Sequence, residues 1–223
     1  MHRVTLRPEI VERVLMRRGR LHLHDLLESR KTALLVIDMQ NAFVAPGAPV
    51  EVPAAREIVP AINRLAGELR ARGVPVVWVL HENGADGRDW PGFFDAFVRP
   101  EDRAAAAQAL SRGDPLQQLW PQLAVASADV RAVKNRYSAF LGNACLKPIL
   151  DERGIDTLLI AGTKTNVCCE STARDAMMLD YKVVMLSDCT AALSDEEHLA
   201  TLENVIQQFG DVLTADEVLG LLE

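Results

Sequence analysis

Aromatic residues are scarce in this 223-residue chain, at 5% of positions. A core built from it must therefore rest on Val, Leu, Ile, Ala and Met. Cysteine is limited to Cys145, Cys168, Cys169 and Cys189, and such residues are often no more than small buried hydrophobes. No apolar run approaches the roughly 18 residues that a membrane span needs. The first twenty residues are charged throughout, without the apolar stretch of a secretory leader. The expectation is no membrane partner and a cytoplasmic location with reduced thiols. Positive charge is not in excess either. A formal net charge of −7 argues against a nucleic-acid partner, which usually shows as a basic face. There is no Gly-x-Gly-x-x-Gly after a strand and no phosphate loop ending in Gly-Lys-Ser/Thr, so nucleotide binding finds no support. Repeats and low-complexity tracts are absent as well.

What is present is an ordinary globular composition, with 49% apolar residues, in a length suited to one domain with a substantial core. Residues 1–30 stand apart. From Arg3 to Lys31 the chain carries seven arginines and one lysine, and Ile10, Val11, Val14 and Leu15 have helical spacing. This predicts an N-terminal helical arm, 1–30, lying on the domain or on a neighbouring subunit, with a loosely held extension as the alternative. The remainder, 31–223, alternates. Apolar runs at 33–37, 76–80, 130–133, 157–161, 183–186 and 212–213 read as strands, the fourth ended by Gly162. Helices are predicted at 58–72, 167–179, 195–209 and 216–222. Ser194 followed by Glu197 gives the third of these a capping-box pattern. Strand alternating with helix predicts an α/β fold: a mostly parallel sheet in three Rossmann-like layers, helices on both faces. Residues 83–128 break the rhythm with many Gly and Pro residues and with Trp90, Phe93, Phe94, Phe97 and Trp120. An aromatic insertion of this kind is expected to be a pocket wall or an interface.

Ligands of open α/β sheets bind beyond the carboxyl ends of the strands. Three polar residues fall there: Asp38 after the first strand, Lys134 after the third, and Cys168 on the turn from the fourth strand into a helix. A thiolate is a nucleophile where a thiol is not. A helix start and a nearby ammonium both favour it. A carboxylate held by the lysine can take the thiol proton and later pass it to a departing amine. Taken singly, each has an ordinary reading: Asp38 as a turn residue, Lys134 as a solvated surface group, Cys168 as a buried hydrophobe.

The motifs around the three are more specific. Residues 34–43 read LLVIDMQNAF, 134–140 read KNRYSAF, and 161–176 read AGTKTNVCCESTARDA. Together they resemble the isochorismatase-like cysteine hydrolases, which include nicotinamidases, N-carbamoylsarcosine amidases, biuret hydrolases and ureidoacrylate amidohydrolases. The TNVC-x-EST-x-RD string is most similar to the ureidoacrylate and biuret branch. The resemblance spans about residues 31–210. It implies a catalytic triad of Asp38, Lys134 and Cys168, with Cys169 in the place of a packing valine. It also implies a cis peptide at Thr163–Lys164 and an oxyanion hole built from the backbone N–H groups of Lys164 and Cys168. Family members are commonly dimers or tetramers, so a homodimer or homotetramer is expected.

The sequence also departs from the family. Position 164 is commonly Ala; Lys164 either enters the pocket, favouring a carboxylate-bearing substrate, or faces solvent. Nicotinamidases carry an Asp-x-His metal pair where this chain has His81, Glu82 and Asn83, so neither metal nor other cofactor is expected. His22 and His24 have no third ligand nearby and are read as incidental. Gln40, Asn41, Phe43, Tyr137 and Gln208 are candidate contacts to substrate, loop structure or packing being the alternative for each. The implied activity is hydrolysis of a C–N bond in a small-molecule ureido, carbamoyl or amide compound through a thioester. The alternatives are a non-catalytic small-molecule binding module and an isochorismatase-type vinyl-ether hydrolase, though the latter has no need of a cysteine nucleophile. A Cys168–Cys169 redox pair is set aside, because adjacent cysteines form strained disulfides.

Overall fold

A computed structural model describes residues 2–3 and 5–223; Met1 and Val4 of the expected arm lie outside the described residues. Strands β1 (Thr32–Ile37), β2 (Val76–His81), β3 (Val130–Lys134), β4 (Thr157–Thr163), β5 (Lys182–Ala191) and β6 (Asp211–Leu213) form one sheet. Their order is β3-β2-β1-β4-β5-β6, and each neighbouring pair is parallel. The helices are α1 (Pro8–Arg18), α2 (Asn41–Val44), α3 (Ala55–Ala71), α4 (Pro91–Phe94) and α5 (Arg103–Ala109), followed by α6 (Leu146–Asp151), α7 (Glu170–Met178), α8 (Asp195–Asn204) and α9 (Ala215–Leu221).

Side chains alternate across a strand, and here they feed two separate cores. Leu34, Val36, Trp78, Leu159 and Leu186 face Ile58, Ile62 and Leu65 of α3 and Val218 of α9. Ala33, Leu35, Ile37, Val79, Ile160 and Met185 face the other layer, with Leu146 of α6, Ala173 of α7, Leu202 of α8 and Ile10 and Val14 of α1. Because both faces are covered, strands β1, β2 and β4 are buried along their whole length, which is why they read as unbroken apolar runs. The expected three-layer α/β arrangement is thus observed.

The arm folds back on its own chain. Ile10 and Val14 are buried. The Arg7 guanidinium grips the Glu203 carboxylate, with Nε 2.9 Å from both carboxylate oxygens. Gly19, at φ 76°, ends α1, its N–H donating to the Leu15 carbonyl. Leu27 then pairs with the chain's far end, its N–H donating to the Leu221 carbonyl at 2.8 Å.

Several boundaries differ from the sequence reading. Gly162 does not end β4; it lies inside it, at a register shift against β5. A Cβ there would meet the Ile37 carbonyl oxygen at 2.1 Å, so the glycine allows β1 and β4 to approach where both approach the site. Strand β5 runs on to Ala191, pairing with Gly162 and Thr163 past the shift. The helix expected from 167 begins as a π turn, Thr165–Cys169, before α7. Likewise the helix expected at 195–209 closes in a second π turn, Val205–Phe209. Ser194 does cap α8, accepting from the Glu197 N–H. The Glu197 carboxylate, however, accepts from the Leu193 N–H rather than from Ser194, so among the described residues the reciprocal box is formed at Thr214 and Glu217.

Candidate active site

Going outward from the middle of the sheet, strand order reverses between β1 and β4, the place where such sheets open a crevice at their carboxyl ends. Asp38, the first residue past β1, has φ 51°, a left-handed conformation that Asp tolerates better than most residues. Its N–H donates to the Val79 carbonyl, and its carbonyl accepts from the Thr163 hydroxyl at 3.1 Å. Neighbours on both sides therefore pin the turn, and the carboxylate is fully buried.

Lys134 closes β3, in register with His81 at the end of β2. Its side chain crosses the end of β2 and places Nζ 2.8 Å from Asp38 Oδ2. The same ammonium lies 3.0 Å from the Arg136 carbonyl and 3.3 Å from His81 Nδ1. An ammonium has three N–H donors, and all three have acceptors here. His81 Nε2 sits 2.7 Å from Asn83 Oδ1; with Nε2–H donating there, Nδ1 is left to accept from Lys134. Burial, then the Lys134 charge, pushes the His81 pKa down to about 3, so the ring is neutral. His81 is a position beside the candidate site that the sequence reading did not single out. The only cue was its place at a strand end beside Lys134, and that register is not readable before the sheet order is known.

Cys168 sits on the π turn, where Lys164 O accepts from both the Val167 and Cys169 N–H groups at 3.1 Å. The Thr172 hydroxyl holds the Cys168 carbonyl at 2.7 Å and accepts from the Ala139 N–H. This locks the turn to the loop that follows Lys134. The thiol, the carboxylate and the ammonium are close enough to shift one another. Burial, followed by the Asp38 charge, pushes the Cys168 thiol up to about 12, against the pull of Lys134. Burial and the neighbouring carboxylate thus work against the helix start and the ammonium, which favour the thiolate. Burial also raises the Asp38 carboxyl, with Lys134 working against it. Burial opposes the Lys134 ammonium, but Asp38 and Cys168 together outweigh it and raise its pKa. Asp38 Oδ1 is buried without a nitrogen or oxygen donor, and the Cys168 thiol interacts with the same carboxyl. Cys169 is fully buried with its sulfur toward the Ala161 carbonyl. The Thr163–Lys164 peptide is cis.

Above the sulfur lies a cavity of about 500 Å³, lined by Cys168, Lys164, Tyr137, Phe43, His81 and Trp90 among others. The insertion supplies much of its wall, as expected: Trp90 stacks on Phe93 at 4.9 Å and meets the Tyr137 ring edge-on at 4.9 Å. Of the other expected contacts, Phe43 and Tyr137 reach the cavity. The structure does not bring Gln40 there. Its amide bonds the His81 N–H and the His81 and Gln117 carbonyls instead, tying β2 to the insertion. Asn41 donates to the Pro115 carbonyl and is likewise outside the lining. Gln208 is on another flank altogether, in a separate cavity of about 420 Å³ beneath the arm, where the Arg17 guanidinium holds its amide oxygen at 2.6 Å. Among the described residues no three His, Cys, Asp or Glu side chains gather as a metal-holding group; His22 contacts Asp211.

This sheet, with its site at the carboxyl ends of β1, β3 and β4, is that of a known class: the chain belongs to the isochorismatase family of hydrolases, whose domain matches residues 32–217. A probable inactive nicotinamidase of Arabidopsis thaliana is 37% identical over 175 residues, 78% of this chain and 87% of that protein. A ureidoacrylate amidohydrolase of Pseudomonas syringae is 34% identical over 206 residues, 84% and 82% of the two chains. A solved cysteine hydrolase from Pseudomonas syringae superposes with a TM-score of 0.82 at 33% identity, covering 90% of this chain and 96% of that one.

Proposed function

We propose that the protein is a cysteine-dependent amidohydrolase that cleaves a C–N bond of a small amide, carbamoyl or ureido compound. The observation that carries this reading is the union of Cys168, Asp38 and Lys134, with the thiol beside the Asp38 carboxyl and the ammonium on its other oxygen. Relatives named for amide chemistry support it, among them a maleamate amidohydrolase of Pseudomonas putida, 29% identical.

In this mechanism Asp38 Oδ1 takes the thiol proton as Cys168 Sγ attacks the substrate carbonyl carbon. The Lys134 ammonium stabilises the thiolate as it forms. The backbone N–H groups of Lys164 and Cys168 hold the oxyanion, whose stabilisation is usually the largest single contribution to such catalysis. Protonated Asp38 then gives its proton to the departing nitrogen, leaving a thioester on Cys168. Water attacks the thioester with Asp38 as base, releasing the acid or carbamate and restoring the thiol. The aromatic wall excludes bulk water around these steps. Assembly as a homodimer or homotetramer goes with the reading, on the family resemblance.

The test is ammonia release from maleamate, ureidoacrylate, biuret and N-carbamoyl amino acids, with Cys168→Ala as control. Release by the wild type and none by the variant is expected. Undiminished release by the variant would exclude the mechanism. A second reading, a binding module without turnover, draws on the Arabidopsis relative named as probably inactive. It requires the wild type to bind members of this panel and release no ammonia.

A further inference from the structure

The π turn that carries Cys168 is a rare conformation, and side chains anchor it on two flanks. On one, the Thr172 hydroxyl ties it to the loop after Lys134. On the other stands α8. The hydroxyl of Thr165, the first residue of the turn, lies 2.9 Å from His198 Nδ1. His198 Nε2 lies 3.2 Å from the Ser187 carbonyl oxygen. A carbonyl only accepts, so Nε2 carries the proton and Nδ1 accepts from the Thr165 hydroxyl. Burial pushes the His198 pKa down to about 4, which keeps the ring in that neutral form. Further along α8, the Thr201 hydroxyl donates to the Glu170 carboxylate at 2.7 Å, directly past the end of the π turn. Thr165, His198 and Thr201 are all buried, and neither Thr165 nor His198 lines the cavity.

The outer side of this anchor belongs to the N-terminal arm. The His2 ring stacks on His198, with 4.4 Å between centroids. It is fastened at both nitrogens: Nδ1 lies 2.6 Å from Asp195 Oδ1, and Nε2 accepts from the Ala192 N–H at 3.0 Å. With 5% of its side chain exposed, His2 closes the outer face of His198. Arg7 on Glu203 and Arg17 on the Gln207 carbonyl clamp the same arm along α8 and the π turn that ends it. The path from arm to nucleophile is thus continuous: His2, His198, Thr165, Cys168.

Strands β1 and β3 fix Asp38 and Lys134, but Cys168 hangs from the π turn, so the anchors of that turn decide where the sulfur meets the pair. A misplacement of about 1 Å costs such a constellation about a hundredfold in rate. We propose that His198 is a positioning residue for Cys168: it anchors Thr165 so that the π turn holds the sulfur against Asp38 and Lys134, and the arm secures that anchor through His2. The consequence for turnover rests on the amidohydrolase reading; the consequence for the sulfur's position does not.

Two readouts separate them: steady-state kinetics, and alkylation of Cys168 by iodoacetamide at pH 8. Both are measured on the wild type, Thr165→Val, His198→Leu, the double variant, His198→Asn and His2→Ala. Thr165→Val removes the hydroxyl at nearly constant shape and stands in if His198→Leu fails to fold. Each of these two is expected to lower kcat about ten- to a hundredfold with KM nearly unchanged. Each should also raise Cys168 alkylation about tenfold, because a sulfur moved from the Asp38 charge toward water loses about one pKa unit. Cys189, also buried, stays unlabelled. The double variant behaves like either single one, and His198→Asn, whose amide oxygen accepts from Thr165, restores most of the loss. His2→Ala shows the same paired change in weaker form and adds nothing to His198→Leu. Unchanged Cys168 alkylation, labelling of Cys189 in step with Cys168, additive losses in the double variant, or an effect on KM alone overturns the proposal. A His2→Ala protein identical to the wild type contradicts the arm's part in it. The expected alkylation pattern in a protein that releases no ammonia leaves the positioning role standing and removes the amidohydrolase reading.

Discussion

Lys134 Nζ lies 2.8 Å from Asp38 Oδ2 with neither side chain exposed to solvent. Removing one member of a buried pair strands the other charge, at a cost of about 3–5 kcal/mol, whereas replacing both with apolar groups is far less damaging. Asp38→Ala is therefore expected to lose about that much stability in urea denaturation. The double variant Asp38→Leu with Lys134→Met should recover most of it and show no turnover. A double variant as unstable as the single would mean that the ion pair does not govern the site's stability.

His81 Nδ1 takes one of the three Lys134 donors. Its replacement by Phe leaves that donor unpaired and frees the ammonium to rotate. A lost hydrogen bond to a charged group is worth about 1.5–3 kcal/mol, so kcat is expected to fall about ten- to a hundredfold with KM nearly unchanged. Steady-state kinetics on the best substrate checks this. A change confined to KM would place His81 in ligand binding rather than in orienting Lys134.

The buried thiol has a definite pH signature. With Cys168 pushed up to about 12, only a small thiolate fraction exists near neutrality, and that fraction rises with pH. Alkylation of Cys168 by iodoacetamide should climb about tenfold per pH unit from pH 6 to 9, without a plateau. The Asp38 charge raises the thiol's pKa, so removing it lowers that pKa. Asp38→Asn should accelerate alkylation at pH 8 while abolishing turnover. Peptide mapping with Cys145 as internal control measures both. Turnover itself needs Asp38 ionised, and burial raises its pKa. The acid limb of kcat/KM should accordingly lie above the ordinary Asp value of about 3.9.

Gly162 and Gly154 make a matched pair. Both have positive φ, 107° and 64°, but a Cβ at Gly162 meets the Ile37 carbonyl oxygen at 2.1 Å while one at Gly154 meets nothing within 4 Å. Gly154→Ala should cost about 1–2 kcal/mol, the left-handed penalty alone. Gly162→Ala adds overpacking of about 1–3 kcal/mol and displaces the β1 end that carries Asp38, so activity falls with stability. Thermal denaturation of the two variants decides the point.

The legible parts of this molecule were those written in local pattern. Buried parallel strands announce themselves as apolar runs, and the sequence placed β1, β2, β3, β4 and β6 within two residues at each end, while β5 runs five residues past its expected end. Asp38 and Lys134 were singled out because each directly follows such a run, and Cys168 because it lies on the turn after the fourth run, within a recognisable motif. Features set by contact between distant segments were not legible. Gly162 looks like a strand stop, and only the approach of Ile37 shows why it lies inside β4. The thiol's protonation depends on how dry the pocket is, which the motif does not carry. Gln40 and Gln208 looked alike as candidate amides. Their fates diverge because His81 and Gln117 surround one and the Arg17 guanidinium of the folded-back arm captures the other.

The central claim is that Cys168 becomes acylated during turnover. The direct measurement is mass spectrometry of protein quenched in the steady state with the best substrate, followed by mapping of the peptide that contains Cys168. The expected result is a mass increase equal to the acyl group on Cys168, lost on standing as the acid appears and missing in Cys168→Ala. Steady ammonia release with Cys168 unmodified, and undiminished in Cys168→Ala, would contradict it.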